Sequence, residues 1–363
     1  MFKETKIAAV LALIVPGISL AEISYDPIGA NADKSKEILE FRWDSTRTGG
    51  NVSETGQLGY NNSSYTEQDA GGVATSTVLQ LGKGNDAIVD QDKTASTSTV
   101  YQNGLGNKAD VKLRKAAEST SIVEQTGEHH KANVRIRGEY NDSIVTQDGY
   151  GQFADVVIDG ATNYLDSVQV GSDNKATITI WGDLNNVDND QGGWGNKITT
   201  YAAGESNTVK TSQWGEGNKG TVTIYGNGNK TLLQQSGKFQ IANLYTDGTN
   251  NTLKSDQFKS QGSRIDANVE GKNNSLQATQ QFGSKDKITV DLVASNGNDI
   301  YLLQEYSGDN LIDIDFDNTR RSFVAAYQTG WRNTAKIDST YGSHDSFVVK
   351  QAGDDNYAAS VVK

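Results

Sequence analysis

The stretch "QLGKGNDAIVDQ", residues 80–91, decides the fold. It places Gln80, one residue, Gly82, two turn residues and Asn85 ahead of small or branched apolar side chains at alternate positions, Ala87 and Val89, and closes on Gln91. Twenty-two residues later the same pattern returns as Gln102, Gly104, Asn107, Ala109 and Val111. The alternation is the two-residue period of a β-strand, and no apolar stripe recurs at helical spacing.

Working outward, the pattern fills most of the chain. Gln57, Gly59 and Asn62 precede it. After it come Gln125 with Gly127, Gln147 with Gly149, Gln169 with Gly171 and Asn174, Gln191 with Gly193 and Asn196, Gln213 with Gly215 and Asn218, and Gln235 with Gly237. Further anchors are Gln257, Gln281, Gln304, Gln328 with Gly330 and Asn333, and Gln351 with Gly353 and Asn356. Gln280 can hold the anchor place as well as Gln281, because copies ten to twelve carry insertions of a residue or two. A second register supports the first: six residues before the anchor stands Asn or Ser, as at Asn51, Ser96, Ser119, Asn141, Asn163, Asn185, Asn207, Asn229, Asn251, Asn298 and Ser322, with Ala74 and Asp345 as exceptions.

A repeat of about 22 residues holding two strands and two turns is one flat coil of a solenoid. The fold class expected is all-β, a β-solenoid with two strands per coil and about fourteen coils over residues 51–363. Stacked at the inter-strand spacing of about 4.8 Å, such coils make a column roughly 65 to 70 Å long. Gly and Asn at the reversals fit, since both tolerate positive φ. Stacking sets each position above its counterpart, so the Gln and Asn positions are expected to form ladders in which one side-chain amide bonds the next. A Gln in phase with the apolar stripe and without partners costs on the order of 1 to 3 kcal/mol, so a ladder is what makes the repetition tolerable. The Asn after each Gly also admits a plainer reading, as a turn terminator.

Composition narrows the function classes. Lys and Arg number 33 against 45 Asp and Glu, for a net charge of −12, which argues against nucleic acid as a partner. There is no cysteine, and the only prolines, Pro16 and Pro27, lie outside the array, so no repeat carries the residue that stops unwanted strand addition. Lys3, Lys6, the apolar run 7–15 and the small residues before Ala21 read as a secretory signal peptide cleaved after Ala21, too short for a membrane span. Residues 22–50 lie outside the register and are expected either to form a helical cap, with Ile38, Leu39 and Phe41 as apolar contacts, or to serve as a secretion address.

The pattern Ser or Asn, five residues, Gln-x-Gly-x-x-Asn-x-Ala-x-Val-x-Gln resembles the curlin repeat of bacterial curli fibres, over residues 51–363 and in both registers at once. The resemblance implies a functional amyloid subunit, exported through a dedicated pore and polymerised with itself, in concert with a nucleator subunit, into extracellular fibres of a biofilm matrix. It also implies a location outside the cell and no cofactor. Two departures stand out. The second Gln of the repeat, present at Gln68 and Gln91, becomes Leu113, Ile136, Ile158, Ile180 and Ile224. The Gly-rich address of the major curlin is missing, and "SYDPIGANADKSKEILEF" looks slightly more like the start of the minor, nucleating curlin.

The last copy ends at Lys363 with no capping segment after it, so its coil is expected to be an open template for another molecule. Outward lysines at 108, 131, 175, 197 and 219 follow the turn, as a solvated face or as gatekeepers that slow assembly, and Asp90 is expected beside Lys112. Other classes compete less well. An ice- or surface-binding solenoid would use the outward patch Thr177, Thr179, Thr199, Tyr201, Thr221 and Thr223, and a polysaccharide-cleaving β-helix would need long acidic loops that are lacking. His129 and His130 read as a surface turn rather than a metal site, and Asp313, Asp315 and Asp317 as a solvated acidic strip rather than a Ca²⁺ site. Trp181, Trp194, Trp214 and Trp331 fall near turns, where coil-to-coil packing or carbohydrate contact is expected. The reading is of a non-enzymatic structural protein.

Overall fold

The computed structural model describes residues 40–362, apart from 49, 70–72, 93–94, 292–295, 317–319 and 340–345. The signal peptide with Ala21, most of the segment 22–50, Asp317, His344 and Asp345 lie outside the described residues. Within them the chain is all-β and winds as a solenoid of two facing sheets. β1 (Glu40–Thr48) is followed by β2 (Asn51–Tyr60) and β3 (Ser63–Gln68), and β2 with β3 makes the first coil. From there each coil sends one strand to a 15-stranded sheet and the next to a 14-stranded sheet. All pairings from coil to coil are parallel and in register, as in Gln57 to Gln80 to Gln102 in the first sheet and Ala87 to Ala109 to Ala132 in the second.

Alternation places one face of each strand between the sheets. In Lys175–Trp181, Ala176, Ile178 and Ile180 are buried while Thr177 and Thr179 face outward. Facing positions combine large with small side chains. Gly220 leaves the space that Ile198 and Leu233 fill from above and across. Trp214 and Trp331 lie against the outer faces of Gly192 and Gly308 one coil earlier, where any Cβ would meet the indole. These two tryptophans thus pack coil on coil while remaining about half exposed, at 47% and 53%.

At the sharp reversal after each anchor, Gly59, Gly82, Gly104, Gly127, Gly149, Gly171, Gly193 and Gly215 stand in one column, and a Cβ on any of them would collide with the carbonyl of the next. Their positive φ, 109° at Gly82, adds a second reason for glycine. Two insertions in the later copies are absorbed there. Lys259 and Tyr306 each enter as a one-residue bulge with positive φ, which restores register on either side.

One expectation changes at the start of the array. Residues 40–48 form a strand antiparallel to β2, with Arg42 opposite Gln57 and Glu40 opposite Gly59, rather than part of a helical cap. A helix leaves the N–H and C=O groups along β2 without partners; a strand supplies them directly.

Candidate functional site

The interior amides and the two ends of the column are what this chain offers chemically. The anchor glutamines form one file through the first sheet. Gln57 donates from Nε2 to Gln80 Oε1 at 2.6 Å, Gln80 to Gln102 at 2.8 Å, and the chain of donations continues through Gln125, Gln147, Gln169, Gln191, Gln213, Gln235 and Gln257. It then passes through Gln280, Gln304 and Gln328 to Gln351. Gln280 holds the rung, and Gln281 turns outward to Glu305. The bulge at Lys259 shifts the phase by one residue, which the regular spacing does not reveal.

Every rung from Gln80 to Gln328 uses both amide hydrogens. One goes to the next glutamine, the other to a backbone carbonyl, of the opposite strand as from Gln80 to Ser63 at 2.8 Å and from Gln191 to Lys175 at 3.2 Å, or, at Gln257, of Ser263 at the turn, at 2.9 Å. The file is therefore polar: each coil donates to the one after it. Gln351 at its end donates only to Thr334, at 2.8 Å. The second-sheet file is short. Gln68 donates to Gln91 at 2.8 Å, and beyond Gln91 the place passes to Leu113 and Ile136.

The asparagines form stretches of the expected amide-to-amide ladder, from Asn141 through Asn163 and Asn185 to Asn207 and from Asn251 through Asn274 to Asn298 at 3.0 to 3.1 Å, and serve the main chain as well. Asn62, Asn85 and Asn107 each offer Oδ1 to the backbone N–H one coil later, at 3.1 Å, and Nδ2 to the carbonyl of the following glycine, as from Asn62 to Gly82 at 3.0 Å. Asn174, Asn196 and Asn218 repeat this, as do Asn310 and Asn333. Asn is one methylene shorter than Gln, so its amide stays at the turn and serves the main chain. Direct amide contacts occur as an extra, as between Asn196 and Asn174 at 3.1 Å. The file at the other turn behaves alike, from Asn141 at 3.0 Å to Asn163 onward, and Ala74 and Ser119 take places in it.

Six members of the first turn file escaped the sequence pattern: His130, Gln152, Gln240, Ser263, Asp286 and Asn310, all buried. Their signal was spacing alone, five or six residues after an anchor. His130 is thus not part of a surface turn, although His129 is exposed. Its Nε2 lies 3.0 Å from the Thr126 carbonyl and its Nδ1 accepts the Gln152 N–H at 3.2 Å, which fixes the neutral ring protonated at Nε2. Burial pushes its pKa down. Asp286 accepts from Ser307 Oγ at 2.8 Å and from the Asn310 N–H at 3.1 Å, and burial raises its pKa to about 6. The glutamines in this file fit worse: Oε1 of Gln152 and of Gln240 is buried without a hydrogen-bond partner.

Outside, Asp90 lies beside Lys112 in register, yet its ion pair is with Arg114 at 3.3 Å, while Lys112 turns to Asp110 at 3.1 Å. Lys175, Lys197 and Lys219 stack in successive coils. Between Lys131 and Lys175 stands Phe153, whose ring both approach, at 5.8 and 4.8 Å. The threonine patch lies in register too, Thr177 with Thr199 and Thr221, beside a file of rings from Trp181 through Tyr201 and Tyr225 to Tyr245 spaced 5.5 to 6.2 Å. Neighbouring rings there tilt by 51° to 61°. Asp313 and Asp315 share an outward face, and among the described residues no group of three or more His, Asp or Glu is placed to hold a metal ion. No described helix is long and apolar enough to cross a membrane.

The two ends differ. At the start, the first-sheet edge of β2 carries β1, whereas β3 pairs, among the described residues, with Asp86–Asp92 alone. At the finish, Ser346–Ala352 and Tyr357–Val362 have, among the described residues, strand pairing with the coil before them alone.

Residues 204–237 match the family model of the curlin associated repeat. The matched window contains Asn207, Gln213, Gly215, Asn218, Asn229, Gln235 and Gly237, the side chains that build the files just described. In that repeat and in its two-strand solenoid the chain is curlin-like. No match was found among curated proteins.

Proposed function

We propose that this chain is a structural subunit of an extracellular curli-like fibre, assembled by end-to-end stacking of solenoids, without enzymatic activity or cofactor. The observation that carries the reading is the last coil: among the described residues its two strands have strand partners on one side, and it ends a file of amides that all donate in one direction. Another copy continuing the column satisfies both features at once, and the result is a cross-β fibre. Secretion, a nucleator partner and a biofilm role belong to the same proposal and rest on the curlin-like repeat.

The test is dilution of the purified chain from denaturant, followed by fibre diffraction and seeding with its own fragments. A meridional reflection at about 4.7 to 4.8 Å and loss of the lag on seeding are expected. A stable, discrete particle without that reflection ends the proposal. Appending a charged, proline-containing cap after residue 363 is expected to stop growth at that end.

A further inference from the structure

We infer that β1 occupies the docking edge of the fibre and that Ser346–Ala352 of a second copy replaces it, so each junction requires release of one β1. This rests on the stacking proposed above and names the event that controls it.

β1 meets the backbone requirement of β2. It lies antiparallel, covers one sheet of two, and its sequence EFRWDSTRT contains neither glutamine nor glycine to continue the files. The last coil is a different kind of partner. Gln351, Gly353 and Asn356 have the same spacing as Gln57, Gly59 and Asn62. Set in parallel, Ser346–Ala352 runs along residues 52–58 and Tyr357–Val362 along Ser63–Gln68, in the register that every internal pair of coils adopts.

Three bonds then form by the pattern repeated inside the chain. Gln351 Nε2, which makes one bond where every rung from Gln80 to Gln328 makes two, donates its second hydrogen to Gln57 Oε1, the acceptor of the first rung. The Asn62 N–H donates to Asn356 Oδ1, as that of Asn85 does to Asn62 at 3.1 Å. Asn356 Nδ2 donates to the Gly59 carbonyl, as Asn333 does to Gly353 at 2.7 Å. The glycine file also continues, Gly353 against Gly59, where Gly353 now has only Asn356 Nδ2 near its open side, 3.8 Å from a Cβ built there. The incoming coil pairs on both sheets, so exchange replaces a strand on one sheet with a complete rung.

The test locks β1 in place. Ser45 and Glu54 stand directly opposite each other, and opposed antiparallel residues have Cα atoms about 4.5 to 5.5 Å apart, within disulfide reach. The chain has no cysteine of its own, so S45C/E54C in the full chain forms a single defined bond. Oxidised S45C/E54C, added to seeds of the unmodified chain, is expected to lose elongation beyond one added molecule per end and to regain it on reduction. The variant T46P/R47P removes a β1 N–H that pairs with β2 whichever residue faces it, and is expected to elongate about tenfold faster, the effect of about 1.4 kcal/mol. Equal elongation of the oxidised and reduced forms, or slower elongation of T46P/R47P, overturns the inference and leaves the fibre proposal standing. Absence of fibres from the unmodified chain overturns both.

Discussion

The anchor glutamine file and the turn file after it run side by side through the same coils, yet one is unbroken and the other is mixed. From Gln57 to Gln351 every rung is glutamine, while the turn file admits His130, Gln152, Gln240, Ser263 and Asp286 among its asparagines. The difference lies in what each side chain must do. A file glutamine accepts from the rung before, donates to the rung after and closes a carbonyl across the coil, three roles that no other buried side chain of that length fills. A turn residue has one recurring task, presenting an acceptor to the main-chain N–H one coil on, which Gln152 and Gln240 leave undone. Ser263 Oγ performs it for Asp286 at 3.3 Å, and His130 Nδ1 for Gln152.

The contrast can be broken most directly at one mid-column rung. Gln191→Leu removes the acceptor of Gln169, the donor to Gln213 and the donor to Lys175, so about 3 to 5 kcal/mol of stability is expected to be lost in urea unfolding. A loss below 1 kcal/mol would mean that the file is decoration on a fold held by its backbone.

The next effect concerns Asp286. Its folded pKa, about 6, lies above the ordinary value of 3.8, so the folded state binds the proton more tightly than the unfolded one. Its favourable contribution is complete below about pH 4 and is lost as pH rises through about 6. Asp286→Asn is expected to stabilise the chain at pH 8 by about 2 kcal/mol and to flatten stability between pH 4 and 7. An unchanged pH profile would show that the carboxyl is hydrated rather than buried.

Asn196→Ser sharpens the comparison, because the hydroxyl keeps an acceptor at the turn and loses the bonds from Nδ2. The expected cost is about 1 kcal/mol, well below that of Gln191→Leu, by the same unfolding measurement. A cost equal to that of the glutamine change would erase the distinction between the two files. The smallest effect is expected at His130, whose lowered pKa has the opposite sign to that of Asp286. Protonation at Nδ1 would oppose the Gln152 N–H, so stability present above the usual histidine range falls as pH drops below it. His130→Asn is expected to abolish that acid loss while leaving neutral stability nearly unchanged, as followed by thermal unfolding at pH 5 and 8.

Much of this was legible in the residues, and the misses are instructive. Period, strand alternation and the glutamine file follow from QLGKGNDAIVDQ and its copies, because a solenoid has one packing neighbour per coil and its repeat is written along the chain. Gln280 was ambiguous, since a single bulged residue, Lys259, moves the phase without changing composition. The role of Asp286 was hidden because it matches no consensus, and only its burial shows that an ionisable group stands in a turn of amides. Arg114, not Lys112, pairs with Asp90 because long side chains choose partners by reach rather than by register.

By itself the sequence determined the two-strand coil, its period and the residues that recur at the same height, since identical spacing forces identical side chains to stack. The tertiary structure decided the direction of the amide file, the main-chain role of the asparagines, and the antiparallel strand over the first coil. Those depend on which of several donors reaches which acceptor across about 3 Å, and on how a strand outside the repeat folds back, neither of which a periodic pattern encodes.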